Sequence, residues 1–205
     1  LTSPQILAQT GLKGPAYGPI RRKRVFEHKA SVRADRWTRL GVELEIILTV
    51  NADVPRPKAR RYNKTSIAPY VGSARAGFEL IEDRGADYSR LAVNPLIMDA
   101  GWNGGSLLAK PNKDWAKLDL GNLKGSISFD GKVVREGHSG DVLGHCYNAL
   151  AWLANKLGDH GKTLKKGMIV STGSMVACQF VPPGSTAVGR IKGLGEVTLK
   201  YELPR

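Results

Sequence analysis

The chain has 205 residues, 41% of them hydrophobic and 24% charged, with a formal net charge of +13. A globule of this length buries on the order of 70% of its unfolded surface and needs no covalent staples. The two cysteines, Cys146 and Cys178, carry no metal-ligand spacing, which fits a reduced, cytoplasmic protein. No apolar run approaches the roughly 20 residues of a membrane span, and no charged stretch leads an apolar core at the start, so membrane and secreted classes are set aside.

Ser3 as cap, Pro4 at the first helical position and Gly11 as a stop frame a short helix over Gln5 to Thr10. Residues 11–19 read as a loop holding Lys13 among turn formers. In residues 41–50 the two-residue period puts Val42, Leu44, Ile46, Leu48 and Val50 on one strand face and Glu43, Glu45, Ile47 and Thr49 on the other. Two carboxylates on one face repel unless a positive charge lies between them. A divalent cation answers that; a half-exposed strand with an acidic outer face is the plainer alternative. Asn51 to Pro57 ends the strand, and Pro69 leaves the segment before Gly77 a weak helix at best.

A second strand runs from Gly77 to Arg84, with Phe78, Leu80 and Glu82 on one face and Glu79, Ile81 and Asp83 on the other. Asp99 to Gly105 is a glycine-rich bend before the apolar run Leu107 to Ala109. Asp130-Gly131 joins residues 125–129 to 132–135 in a tight hairpin. Cys146, Ala149, Leu150, Leu153 and Leu157 recur at helical spacing, Gly158 supplies the stop, and Trp152 reads as core. A short strand at Met168 to Val170 enters the polar turn 171–174, and strands at 186–191 and 196–201 close the chain. One β-rich α+β domain over 1–205, with 1–40 a short helix and a basic loop segment, is the expected organisation.

Charge is regional: thirteen Lys or Arg face five acids between Ile20 and Lys64. Such a stretch can track a phosphate backbone. It has no helix-turn-helix, zinc-finger or RNP-like pattern, and Phe26, Trp37 and Tyr62 are not spaced as a stacking platform. Solvated loops, or steering of an anionic substrate, explain the charge without nucleic acid.

The runs 41–46, 79–84, 144–155, 164–174 and 193–197, with Asp99 between them, together resemble the fumarylacetoacetase-like superfamily, and within it the 2-keto-4-pentenoate hydratases and 4-oxalocrotonate decarboxylases. The resemblance implies a mixed β-roll and a Mg²⁺ or Mn²⁺ ion on Glu43, Glu45 and Glu79, a hard-oxygen set suited to those cations. It places Lys13, in Gly11-Leu12-Lys13, at a substrate-contacting lysine, and Asp99 and Glu82 at acidic positions. These three are the expected proton carriers, with Arg84, Thr172 and Ser174 beside the substrate. The implied activity is hydration of an unsaturated 2-oxo acid such as 2-hydroxypenta-2,4-dienoate, with decarboxylation or acylpyruvate hydrolysis on the same scaffold as alternatives. A homo-oligomer is implied as well. The chain departs from the family pattern in its short segment before Lys13 and in Ala100, where the family has asparagine.

Overall fold

A computed structural model describes residues 2, 12–57 and 60–204. The helix expected at Gln5 to Thr10 and Gly11 of the lysine motif lie outside the described residues.

Two mixed sheets form the molecule. The first carries β1 (Val25–Glu27), β3 (Leu40–Val50), β4 (Val71–Glu82), β5 (Asn103–Leu108) and β8 (Ile169–Ser174) in the order β1-β5-β4-β3-β8, with β9 (Gln179–Phe180) also on β3. The second carries β2 (Lys29–Arg33), β6 (Lys124–Phe129), β7 (Lys132–His138), β10 (Thr186–Ile191) and β11 (Gly195–Glu202) in the order β2-β11-β10-β6-β7. β1 and β2 run parallel to β5 and β11, and every other pairing is antiparallel. This is the β-rich, mixed-sheet architecture expected from the sequence.

β3 is the central strand, and its alternation positions everything else. Leu40, Val42, Leu44, Ile46, Leu48 and Val50 are buried together with Phe78 and Leu80 of β4 and with Ile127, Ala187, Val197 and Leu199 of the second sheet. Phe78 fits because β10 offers Gly189: a Cβ there would stand 2.4 Å from the Phe78 ring. The opposite face of β3 carries Glu43, Glu45, Ile47 and Thr49, in register with Glu79, Gly77, Arg75 and Ser73 of β4.

The Cys146–Asp159 helix matches the spacing read from the sequence, with the His145 ring accepting the Tyr147 amide as its cap. The hairpin at Asp130-Gly131 forms as expected, both residues at positive φ, the geometry its tight turn requires.

Three readings are corrected. β4 begins at Val71, ahead of Gly77, because Ser73, Ala74 and Ala76 pair with Thr49, Leu48 and Ile46; the small residues signal no strand, and the partner strand imposes one. The basic segment before residue 40 contains β1 and β2, whose parallel partners are distant in sequence and leave no hairpin signature. Trp152 is half-buried and lines a cavity rather than the core, its ring 6.2 Å from that of Tyr17 in an edge-on contact.

Candidate metal and substrate site

Glu43 and Glu45 stand on the same side of β3 because two residues separate equivalent faces, and Glu79 joins them because antiparallel register sets it opposite Glu43. Gly77, opposite Glu45, contributes no side chain to that face. One carboxylate oxygen from each glutamate lies within 4.8 Å of the other two. Glu45 is 1% exposed, and Glu43 and Glu79 are half-buried.

Their surroundings hold the carboxylates without neutralising them. The Gly173 amide donates to Glu45 Oε2 at 2.8 Å, and the Asn103 side-chain amide donates to Glu79 Oε1 at 2.6 Å. Among the described residues no lysine or arginine pairs with any of the three. Burial, with Glu79 beside it, pushes the Glu43 carboxyl up to about 8. Burial and both neighbouring glutamates raise Glu45 well above the usual carboxylate range. Buried anions this close require protons or a cation. The Ser106 hydroxyl, fully buried and in register with Glu79, has no hydrogen-bond partner among the described residues. Three hard oxygens and an unspent hydroxyl fit a divalent cation of the Mg²⁺ kind.

The carboxylates open onto a cavity of about 1500 Å³. Trp152, Leu153 and Leu157 of the long helix, with Tyr17, Ile20 and Trp102, make an apolar wall; Arg22, Lys162, Lys165 and Lys166 bring positive charge to the lining.

The structure brings together some of the expected site residues and not others. Thr172 and Ser174 reach the same cavity from β8. Their hydroxyls donate to backbone carbonyls, Thr172 to Ile46 at 2.8 Å and Ser174 to Val176 at 2.5 Å, so both protons are committed. Lys13 is exposed, although Ala16 to Ile20, just beyond it, line the cavity.

Glu82, Arg84 and Asp99 line an adjoining chamber instead. Glu82 lies three positions beyond Glu79, and an odd step along a strand reverses the face. Arg84 holds Asp99 through two bonds of 2.6 and 2.9 Å, and that guanidinium keeps the Asp99 carboxyl below its usual range, hence ionised. Glu27 and His28 are absent from the cavity lining, and Glu27 is bound to Arg75 at 3.0 Å.

Asn103 was missed by sequence reasoning, which read 99–105 as a bend. An asparagine opening a strand beside the glutamate strand was its only signal, and that signal is weak.

The two mixed sheets are those of a fumarylacetoacetase-like fold, and the chain resembles the hydratases and decarboxylases of that superfamily. No family model matches the chain. Its similarity to known proteins is distant and nearly complete. The 2-keto-4-pentenoate hydratase of Paraburkholderia phymatum is 25% identical over 204 residues, a match covering 98% of this chain and 75% of that protein. A 4-oxalocrotonate decarboxylase of Pseudomonas putida is 25% identical over 201 residues at the same coverage. The 4-oxalocrotonate decarboxylase of Pseudomonas putida G7, solved with magnesium and adipate, superimposes with a TM-score of 0.88 at 23% identity, over 98% of this chain and 74% of that one.

Proposed function

We propose that the chain is a divalent-metal-dependent hydro-lyase that adds water to an unsaturated 2-oxo acid such as 2-hydroxypenta-2,4-dienoate. The observation that carries this reading is the meeting of Glu43, Glu45 and Glu79 within 4.8 Å in the wall of a largely apolar cavity. When bound, Mg²⁺ or Mn²⁺ supplies Lewis acidity to the carboxylate and the neighbouring oxo group of such an acid.

The protein's own residues do the rest. Asn103 and the Gly173 amide fix the carboxylate orientations, and the Ser106 hydroxyl stands beside them to hold a water or a ligand oxygen. The wall of Trp152, Leu153 and Leu157 takes the hydrocarbon part of the substrate and keeps bulk water away from it. Lys13 is the proposed proton carrier, since the segment that follows it lines the cavity. Asp99 and Glu82 fit that role less well: Asp99 is held ionised by Arg84, and Glu82 accepts the Thr38 and Arg84 amides. The same reading carries residues 1–205 acting as one catalytic unit, a homo-oligomeric assembly and a cytoplasmic location. No helix among the described residues is long and apolar enough to cross a membrane.

A decarboxylase is the second reading, because a relative of equal identity and coverage bears that name. One experiment separates them. NMR of products from 2-hydroxypenta-2,4-dienoate and, separately, from 4-oxalocrotonate is recorded with Mg²⁺ and again after chelation. Metal-dependent 4-hydroxy-2-oxopentanoate from the dienoate is the expected result. Carbon dioxide from 4-oxalocrotonate without hydration of the dienoate would move the assignment to a decarboxylase, and inertness toward both would contradict the proposal.

A further inference from the structure

Beside the carboxylate cavity lies a second chamber, of about 510 Å³, where the basic N-terminal segment folds over the ends of β4 and β5. Four arginines line it: Arg21, Arg24, Arg36 and Arg84. Its acids are Asp35, Glu82 and Asp99. Pairing them leaves a surplus of positive charge. Arg84 is bound to Asp99 through both arms of its fork, and Asp35 is bound by Arg33 from outside the chamber. Glu82 accepts the amides of Thr38 and Arg84 and forms no ion pair with a described lysine or arginine. Arg24 donates to the Gly104 carbonyl at 3.1 Å, a neutral partner. Arg21 acts on Asp99 through its charge, with no side-chain hydrogen bond or ion pair to a described residue. Arg36 makes no hydrogen bond or ion pair with any described residue.

Among the described residues, three guanidiniums without a bound carboxylate therefore line a concavity holding one carboxylate without a bound cation. Like charges lining a cleft repel one another and concentrate the field on whatever enters, and an anion relieves that repulsion. The guanidinium fork matches a carboxylate or a phosphate in two parallel hydrogen bonds. One wall is carbon. Trp37 packs on Gly104, where a Cβ would stand 2.5 Å from the indole ring, and it presents an aromatic surface to an organic skeleton. The volume is that of a small-molecule site.

We propose that this chamber is a binding site for a small organic anion carrying one or two carboxylates, separate from the glutamate triad. The two sites are neighbours: Pro19, Ile97, Ala100 and Asn103 line both, and Asn103 is the donor to Glu79. Without metal the triad offers an anion no cation, whereas the chamber offers arginines, so the arginine chamber is where it goes.

Calorimetric titration tests this on protein stripped of metal by a chelating resin, with no soluble chelator, at low ionic strength. Succinate and inorganic phosphate are the probes, applied to wild type, Arg21→Gln/Arg36→Gln, Arg36→Gln alone and Glu45→Gln. Wild type and Glu45→Gln should bind succinate alike and more tightly than phosphate. The double variant should bind it about tenfold more weakly or worse, as expected when charged hydrogen bonds are lost. Arg36→Gln, which breaks no contact among the described residues, should show part of that loss in a protein of unchanged melting temperature. Equal succinate affinity in wild type and the arginine variants, loss of binding in Glu45→Gln, or no binding by wild type would each overturn the proposal. Phosphate binding as tightly as succinate would overturn its organic part.

Discussion

Asn103 shows how little side-chain material separates a repulsive cluster from a usable one. Its amide holds Glu79 at 2.6 Å, and the Gly173 amide holds Glu45 at 2.8 Å, so two of the three carboxylates arrive oriented. Replacing Asn103 with Leu should weaken divalent-cation affinity by about 10-fold to 100-fold, the usual effect of losing a partner that orients a ligand, with little change in the fold. Cation titration of the variant reads it directly.

The triad also has a pH signature. In the unfolded chain a glutamate titrates near 4.3, whereas burial lifts folded Glu43 to about 8. Between those values the folded state keeps a proton that the unfolded state has lost, so stability falls as pH rises toward about 8, and the raised Glu45 carboxyl acts in the same sense. The aspartates held low by cations, Asp83 by Arg39 and Asp99 by Arg84, act in the opposite sense and only at acid pH. Metal-free protein should therefore melt at a lower temperature at pH 8 than at pH 6 in calorimetric scans. Saturating Mg²⁺ should remove the difference, and Glu45→Gln, lacking one of the charges, should reduce it without Mg²⁺.

At the scale of elements, β4 carries the tightest constraint. A Cβ on Gly77 would stand 2.2 Å from Ile47 Cδ1 and 2.9 Å from the Leu107 carbonyl oxygen. The side chain can shift; the β5 backbone cannot shift without disturbing the β4–β5 ladder. Gly77→Ala should therefore cost on the order of 1–3 kcal/mol, the range of overpacking in a filled core, measurable by urea denaturation. Because Gly77 lies opposite Glu45, cation affinity should fall with it.

Elements differ in how far they could be read from sequence. β3, the 130–131 hairpin and the long helix each carry a strong local period or turn signal, and each forms where expected. β1, β2 and the first half of β4 carry none: Val25–Glu27 is too short for a period, and Ser73 to Ala76 is made of residues that pair only because β3 lies alongside. In the site, Glu43 and Glu45 were visible as a two-residue repeat, while Glu79 followed from the family resemblance and its register with Glu43 from the fold alone. Glu82 illustrates the opposite case. Its odd spacing from Glu79 already separates their faces, and it lines the adjoining chamber.

For the whole molecule, the two sheets divide their labour. The space between them is filled by Phe78, Leu44, Ile127 and Leu199, all fully buried. Phe78→Ala, which empties the seat above Gly189, should destabilise by about 3–5 kcal/mol while leaving the triad's side of the sheet intact. A denaturation series should show lost stability with cation affinity retained under native conditions. The outer face of the first sheet, relieved of packing against the second, carries the carboxylates and the cavity. With a net charge of +13 and Arg22, Lys162, Lys165 and Lys166 in the cavity lining, the proposed anionic substrate would be steered toward the site.

The proposed function rests on Glu43, Glu45 and Glu79 holding one divalent cation, and a calorimetric titration of metal-stripped protein with Mn²⁺ and Mg²⁺ tests this most directly, on wild type and on Glu43→Gln, Glu45→Gln and Glu79→Gln. One saturable site per chain, weakened strongly by each substitution and accompanied by a rise in wild-type melting temperature, is the predicted result. Cation binding of unchanged affinity in all three variants, or none in wild type, would contradict it.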